Sequence, residues 1–321
     1  MQMEKRTLQL GALAIACALL FRLASGWPIT QWLFQPENAA LIVFLETGRL
    51  VKMPSGEPQS ELTEPPESAP TEPQKVQPVF CEDDALLVHI SNADAYAVDV
   101  PALLCETLSW DLTQGGPAVL IVHSHATESY ENTQGYRETS AYRTVDTDYN
   151  VVSVGTRIAQ ILEQGGIRAI HDTSLHDYPS YNDAYKQSRK SIAEYLQEYP
   201  SIRIVLDIHR DSAVDNTGKQ YAATVQAGGQ KSAKLMLVTG AKHEAAQENL
   251  ALAVKLQALL EKQTPGICRD LILRSSAFNQ DLCEGALLVE VGAAGNTHEQ
   301  ALLAAELLAN SILTLAYGTS V

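Results

Sequence analysis

"VLIVHSHATESY", residues 119–130, sets four apolar residues against an abrupt polar end. Val119 to Val122 have the composition of a strand buried on both faces. His123, His125 and Glu128 follow at once. A strand buried on both faces belongs to a parallel sheet, and in open α/β sheets ligands bind outside the carboxyl ends of the strands. The stretch therefore predicts a fold class and the place where chemistry would sit.

Working outward, "YNVVSVGTRIAQILEQGGI" (149–167) repeats apolar residues at 151, 154, 158, 161 and 162 and stops at Gly165-Gly166, the pattern of an amphipathic helix. Further strands are expected in "RAIHDT" (168–173), "IRIVLDIHRDS" (202–212), "SAKLMLVTG" (232–240) and "ALLVEVG" (286–292). Helices are expected in "YNDAYKQSRKSIAEYLQEYP" (181–200), "HEAAQENLALAVKLQALLEKQ" (243–263) and "NTHEQALLAAELLANSILTLAYG" (296–318). Apolar strands alternating with amphipathic helices predict an α/β domain, a mainly parallel sheet with helices on both faces. We assign it to residues 117–321. Residues 79–116 form a lead-in whose "YAVDVPALLCETLSWDL" can pack against it.

The chain upstream has a different character. Lys5 and Arg6 precede the apolar run Leu8–Phe21, and Arg22 follows it. A basic flank before such a run marks a targeting segment. Extended to Trp27 it approaches the length a membrane span needs, so residues 1–27 are read as a retained signal anchor. Residues 28–52 form a mildly apolar juxtamembrane segment. Residues 53–78 then hold seven of the fourteen prolines, interleaved with Glu57, Glu61, Glu64, Glu67 and Glu72. Such a stretch cannot bury enough apolar area to fold. It reads as a disordered linker, reaching about 80 Å at roughly 3.1 Å per residue if extended. This arrangement expects a single-pass protein with its domain outside the cytoplasm.

The net charge of -15 excludes nucleic acid as a partner, because nucleic-acid binding needs basic surface. The cysteines at 17, 81, 105, 268 and 283 form no CxxC pair, which argues against a thiolate zinc knuckle. A Cys268–Cys283 bridge stays open. There is no GxSxG elbow and no phosphate loop.

Three polar strand ends remain. They hold His123, His125 and Glu128; then Asp207, His209, Arg210 and Asp211; then Glu290. Two imidazoles and a carboxylate make a standard catalytic zinc set with one position open for water. A further carboxylate off the metal can move the proton of that water. Such a constellation hydrolyses amides. The spacing alone also admits plainer readings: histidines merely near solvent, Glu290 as a buried ion-pair partner of Arg210, and Asp207 as a strand-end cap.

"VHSHATESY", "NVVSVG", "LDIHRDS", "NQDL" and "LVEVGAAGNT", taken in order, resemble the stage II sporulation protein P family. Those proteins are membrane-anchored cell-wall amidases with a fold like the zinc N-acetylmuramoyl-L-alanine amidases. The resemblance covers roughly residues 117–316. It implies a zinc-dependent peptidoglycan hydrolase acting in forespore engulfment, an amidase that can also cleave cross-links. The implied partner is a membrane-bound lytic transglycosylase, and the implied location is the intermembrane space of the sporangium. It matches His209 to a metal ligand and Glu290 to the catalytic glutamate, and favours His125 over His123. Glu128 is the carboxylate ligand within the motif, although related amidases take theirs from a position nearer Asp148. His123, Asp148, Asp207 and Arg210 thus stand as supporting residues or alternative ligands. The competing reading is an inactive peptidoglycan-binding module that recruits a partner hydrolase; a general base at Glu290 would be wasted on it.

Overall fold

The computed structural model describes residues 80–318 apart from 109, 132–141 and 215. The expected anchor, juxtamembrane segment and linker lie outside the described residues.

After a 3-10 turn at Glu82–Leu87 come β1 (Ile90–Ser91), α1 (Val100–Cys105), β2 (Val119–Val122), α2 (Val151–Gln164), β3 (Ala169–His171) and α3 (Ala184–Glu198). Then follow β4 (Ile204–Asp211), a hairpin of β5 (Thr224–Ala227) and β6 (Gln230–Ala233), β7 (Leu235–Gly240), α4 (Ala246–Gln263), β8 (Leu271–Arg274), β9 (Ala286–Ala293) and α5 (His298–Tyr317). The main sheet runs β1-β8-β7-β9-β4-β2-β3. Every neighbouring pair in it is parallel except β7 with β9. The fold is therefore α/β, with a mainly parallel sheet and helices on both faces.

The antiparallel pair has a simple origin. β4 ends at Asp211, the hairpin occupies the same end of the sheet, and one residue, Lys234, separates it from β7. A strand entered from the end where its predecessor stopped must run the other way. The expected strand 232–240 is accordingly split: Ser232 and Ala233 belong to the hairpin, and β7 starts at Leu235.

Alternation sorts the strand residues between two faces. Val119 and Ile121, Leu206 and Ile208, and Val289 and Val291 enter one large core with Ile158 and Leu162 of α2, Leu252 and Leu256 of α4, and Leu308 and Ile312 of α5. Burying each such side chain contributes about 1.5–3 kcal/mol. Leu120, Val122 and Val205 face the other way, against Ile192 of α3. That second layer is thinner, and the site opens beyond it.

Caps fix the helix boundaries. The Asn150 side chain accepts from the Val152 N–H to start α2, and Gly166, at φ +85°, takes the left-handed turn after it. Thr297 and Gln300 form a reciprocal capping box at the start of α5. This helix, with a mean hydropathy of 1.3 in its most apolar window, is long and apolar enough to cross a membrane, yet 56% of that window is buried. It packs between α2 and α4 as a core helix.

The lead-in is built into the sheet. β1 extends it beside β8, and Lys255 of α4 donates to the Leu104 carbonyl of α1. Cys268 and Cys283 are both free.

Candidate metal and catalytic site

The site lies where β2, β4 and β9 end. Asp207 and His209 of β4 point away from the large core, and Glu290 of β9 is the register partner of His209. Register partners in a parallel pair project to the same face, with backbones about 4.8 Å apart. The turn after β2 brings His125 and Glu128 to the same place. One nitrogen each from His125 and His209 and one oxygen of Glu128 lie within 4.8 Å of one another. Among the described residues this is the one group of three such side chains close enough to hold a metal ion.

Glu128 is the hub. Its Oε2 lies 3.4 Å from His209 Nδ1, and its Oε1 lies 3.8 Å from His125 Nδ1. The Arg210 backbone N–H donates to Oε2 at 3.1 Å, and Arg210 Nη1 lies 3.7 Å from Oε1. Arg210 is itself fixed by donating Nε to the Ser129 carbonyl and Nη2 to the Tyr142 carbonyl. Burial pushes the Glu128 carboxyl up, but His209, Arg210 and His125 outweigh it and hold it at about 2. It is a carboxylate at neutral pH, as a cation ligand must be.

Asp207 stands behind His209. It accepts from the Ser124 N–H at 2.7 Å and the Ser124 hydroxyl at 2.6 Å. Its Oδ1 lies 2.9 Å from His209 Nε2, although Nε2 makes no well-aligned hydrogen bond. That contact leaves Nδ1 facing Glu128. A carboxylate behind the second nitrogen is the common support of metal-binding histidines. Burial alone would push the His209 pKa down; Asp207 and Glu128 carry it well above its ordinary value. This imidazole must therefore release a proton before it can coordinate a metal.

Glu290 has a different environment. Its Oε2 is sealed from solvent without a hydrogen-bond partner. Arg210 pairs with Glu128, and Glu290 makes no ion pair among the described residues. Burial lifts the Glu290 carboxyl to about 8; Glu128 and Asp211 add to this, while His209 and Arg210 oppose it. An uncommitted carboxyl oxygen beside a ligand cluster can take up and return a proton.

The two histidines of the first motif part company. His123 is fully buried, its Nδ1 donates to the Ile208 carbonyl at 3.0 Å, and its Nε2 lies 2.8 Å from His171 Nε2. Gly155 of α2 passes so close that a Cβ there would sit 2.6 Å from His123 Nε2. Burial and then His171 drive its pKa down to about 3, so the ring is neutral. Both its nitrogens are engaged outside the ligand group. Asp148 is exposed, and it too lies outside that group.

Sequence reasoning missed the residues that frame His125. Tyr181 stacks on its ring at 4.5 Å with planes 14° apart, and Tyr185 meets it edge-on at 5.3 Å. Arg143 lies over Tyr181 and pairs with Asp177 at 2.7 Å and Glu128 at 3.4 Å. Asp177 also accepts from the Thr127 hydroxyl at 2.6 Å, tying the strand end to the loop after β3. These contacts cross the fold between loops without periodicity, so no local pattern announces them.

The family model described as Stage II sporulation protein P (SpoIIP) matches residues 46–313. A curated Stage II sporulation protein P of Bacillus subtilis (strain 168) is 32% identical over 204 residues, covering 60% of this chain and 49% of that protein. The chain thus spans about half the length of the curated relative it matches. Among solved structures, the N-acetylmuramoyl-L-alanine amidase AmiC2 of Nostoc punctiforme is similar at 16% identity and a TM-score of 0.40, over 62% of this chain and 97% of that one. The CwlD amidase from Clostridioides difficile, in complex with the GerS lipoprotein, is similar at 12% identity and a TM-score of 0.40, over 63% and 95%. Likenesses at this level transfer no residue role.

Proposed function

The chain belongs to the stage II sporulation protein P family, and on that premise we propose that it is a zinc-dependent peptidoglycan hydrolase of the N-acetylmuramoyl-L-alanine amidase type. Residues 117–321 form its catalytic domain, held on the outer side of a membrane by the anchor 1–27 and the linker 53–78. It works in forespore engulfment beside a membrane-bound lytic transglycosylase.

The observation that carries this reading is the convergence of His125, Glu128 and His209 next to the unpartnered carboxyl group of Glu290. Two nitrogen donors and one carboxylate fit a catalytic zinc ion with one position open. When bound, zinc would polarise a carbonyl and lower the pKa of water to roughly 7. The chain supplies the remainder. A cation held by the ligand cluster would draw the Glu290 carboxyl down from about 8, so that Glu290 could take the proton of the attacking water and return it to the amide nitrogen as that group leaves. Arg210 holds Glu128 in place, and Asp207, fixed by Ser124, holds His209. Tyr181 and Tyr185 restrain the His125 ring. A pure binding module has no need for a half-buried carboxyl group whose Oε2 is sealed and uncommitted at such a place.

Metal analysis and digestion of cell-wall sacculi test the reading together. The purified chain is expected to carry about one zinc ion per molecule and to release stem peptides. H125A should lose the metal, whereas H123A, whose ring bonds Ile208 and His171 instead, should keep it. Sacculus binding with neither zinc nor peptide release would sink the hydrolase and leave the recruiting module.

A further inference from the structure

This end of the sheet is rich in carboxylates: Glu128, Asp207 and Asp211 all lie at it, in a chain of net charge -15. An anionic substrate would be repelled there unless a cation with an uncommitted edge received it. Two guanidinium groups near the ligand cluster are already engaged. Arg210 gives Nε to Ser129 and Nη2 to Tyr142 and keeps a buried Nη1 3.7 Å from Glu128, and Arg143 is spent on Asp177, Thr127 and Glu128.

Arg269 is different. It precedes β8, and its backbone N–H donates to the Leu235 carbonyl at 2.7 Å, just where β7 begins. Its Nη1 donates to Asp211 Oδ2 at 2.5 Å, and its guanidinium carbon lies 5.3 Å from the centre of the Tyr221 ring. Nε and Nη2 make no hydrogen bond among the described residues, and the side chain is 27% exposed. Asp211 therefore pins one corner, Tyr221 supports the face, and the two-donor edge of the fork stays open to solvent. That edge is the one that matches a carboxylate bidentately.

We propose that Arg269, held by Asp211 and Tyr221, is a subsite for a free carboxylate on the peptide part of the substrate. The proposal rests on the amidase reading above and adds the side of the crevice on which the peptide lies. Leu235 is the register partner of Val291, next to Glu290. The Arg269 guanidinium reaches across to Asp211, two residues past His209 in β4, about 7 Å along an extended strand. An extended peptide rises about 3.3–3.6 Å per residue. The recognised carboxylate accordingly belongs about two residues along the stem from the scissile amide.

The test uses the full chain and two soluble muropeptides that differ only in whether the stem carboxylates are free or converted to carboxamides. The wild type should prefer the free acid by about 10–100-fold in kcat/KM, mainly through KM, the range of a hydrogen bond to a charged group. R269Q should bring that ratio close to parity, and R269K should recover part of it. Equal cleavage of both substrates by the wild type overturns the subsite, as does an R269Q loss that leaves the ratio intact. Calorimetric binding of the released stem peptide, acid against carboxamide, reads the same contact without catalysis. Discrimination there without any cleavage would retain the subsite and reject the amidase; equal affinity would reject the subsite alone.

Discussion

The two faces of β4 and β9 are built from the same strands and are about equally buried, yet they do opposite things. On one face Leu206, Ile208, Val289 and Val291 join a dry core under α2, α4 and α5. On the other, offset by one residue, stand Asp207, His209 and Glu290. The difference lies in what covers them. Three helices lay apolar stripes along the first face, whereas α3 covers only the amino-terminal part of the second, where Ile192 meets Val205 and Leu120. Beyond that, the start of α3 offers Tyr185 and Ser188, and polar groups find partners. The apolar core residues and the candidate ligand and acid–base residues are thus assigned to opposite faces of one pleated surface.

Substitutions can break or sharpen this contrast. The largest effect is expected at Glu290 on the polar face. E290Q should lower kcat by about 10²–10⁴-fold while zinc content and the unfolding midpoint stay near wild type. An E290Q protein that unfolds but keeps its rate per folded molecule would make Glu290 a structural residue. Leu206→Ala, one position before Asp207, should do the reverse. It should cost about 2–5 kcal/mol in urea unfolding and spare the rate of the folded fraction. A fall in kcat without destabilisation would erase the division between the faces. The smallest effect is expected at Asp207, which acts through His209. D207N should weaken zinc about 10–100-fold in a chelator competition; unchanged affinity would make it a strand cap and nothing more.

Much of this was legible in the sequence because it depends on period. Runs such as Val119–Val122 and Leu287–Val289 announce doubly buried strands, and the 3.6-residue repeat in 151–162 announces α2. Polar residues interrupting those runs then mark the open end of the sheet. What escaped lacks such a signal. β8 has four residues, three apolar and then Arg274, too short to stand out. The β5–β6 hairpin turns at Gly228-Gly229, a recognisable turn pair, but its strands are largely polar and half exposed. The antiparallel direction of β7 depends on where its connection runs, which no local pattern encodes. The choice between His123 and His125 turned on which side of the chain each projects after the strand ends. Arg143, Asp177 and Tyr181 reach the site from separate loops, and Arg269 from across the sheet.

The two-residue strand Ile90–Ser91 carries more weight than its length suggests. It pairs with Leu271 and Ile272 of β8. Without it, β8 would present unpaired backbone donors and acceptors along an apolar margin, a template for another chain to add to. A strand too short to recruit a further neighbour stops sheet growth as soon as it begins. The segment ahead of β2 therefore also guards this sheet edge against pairing with another chain.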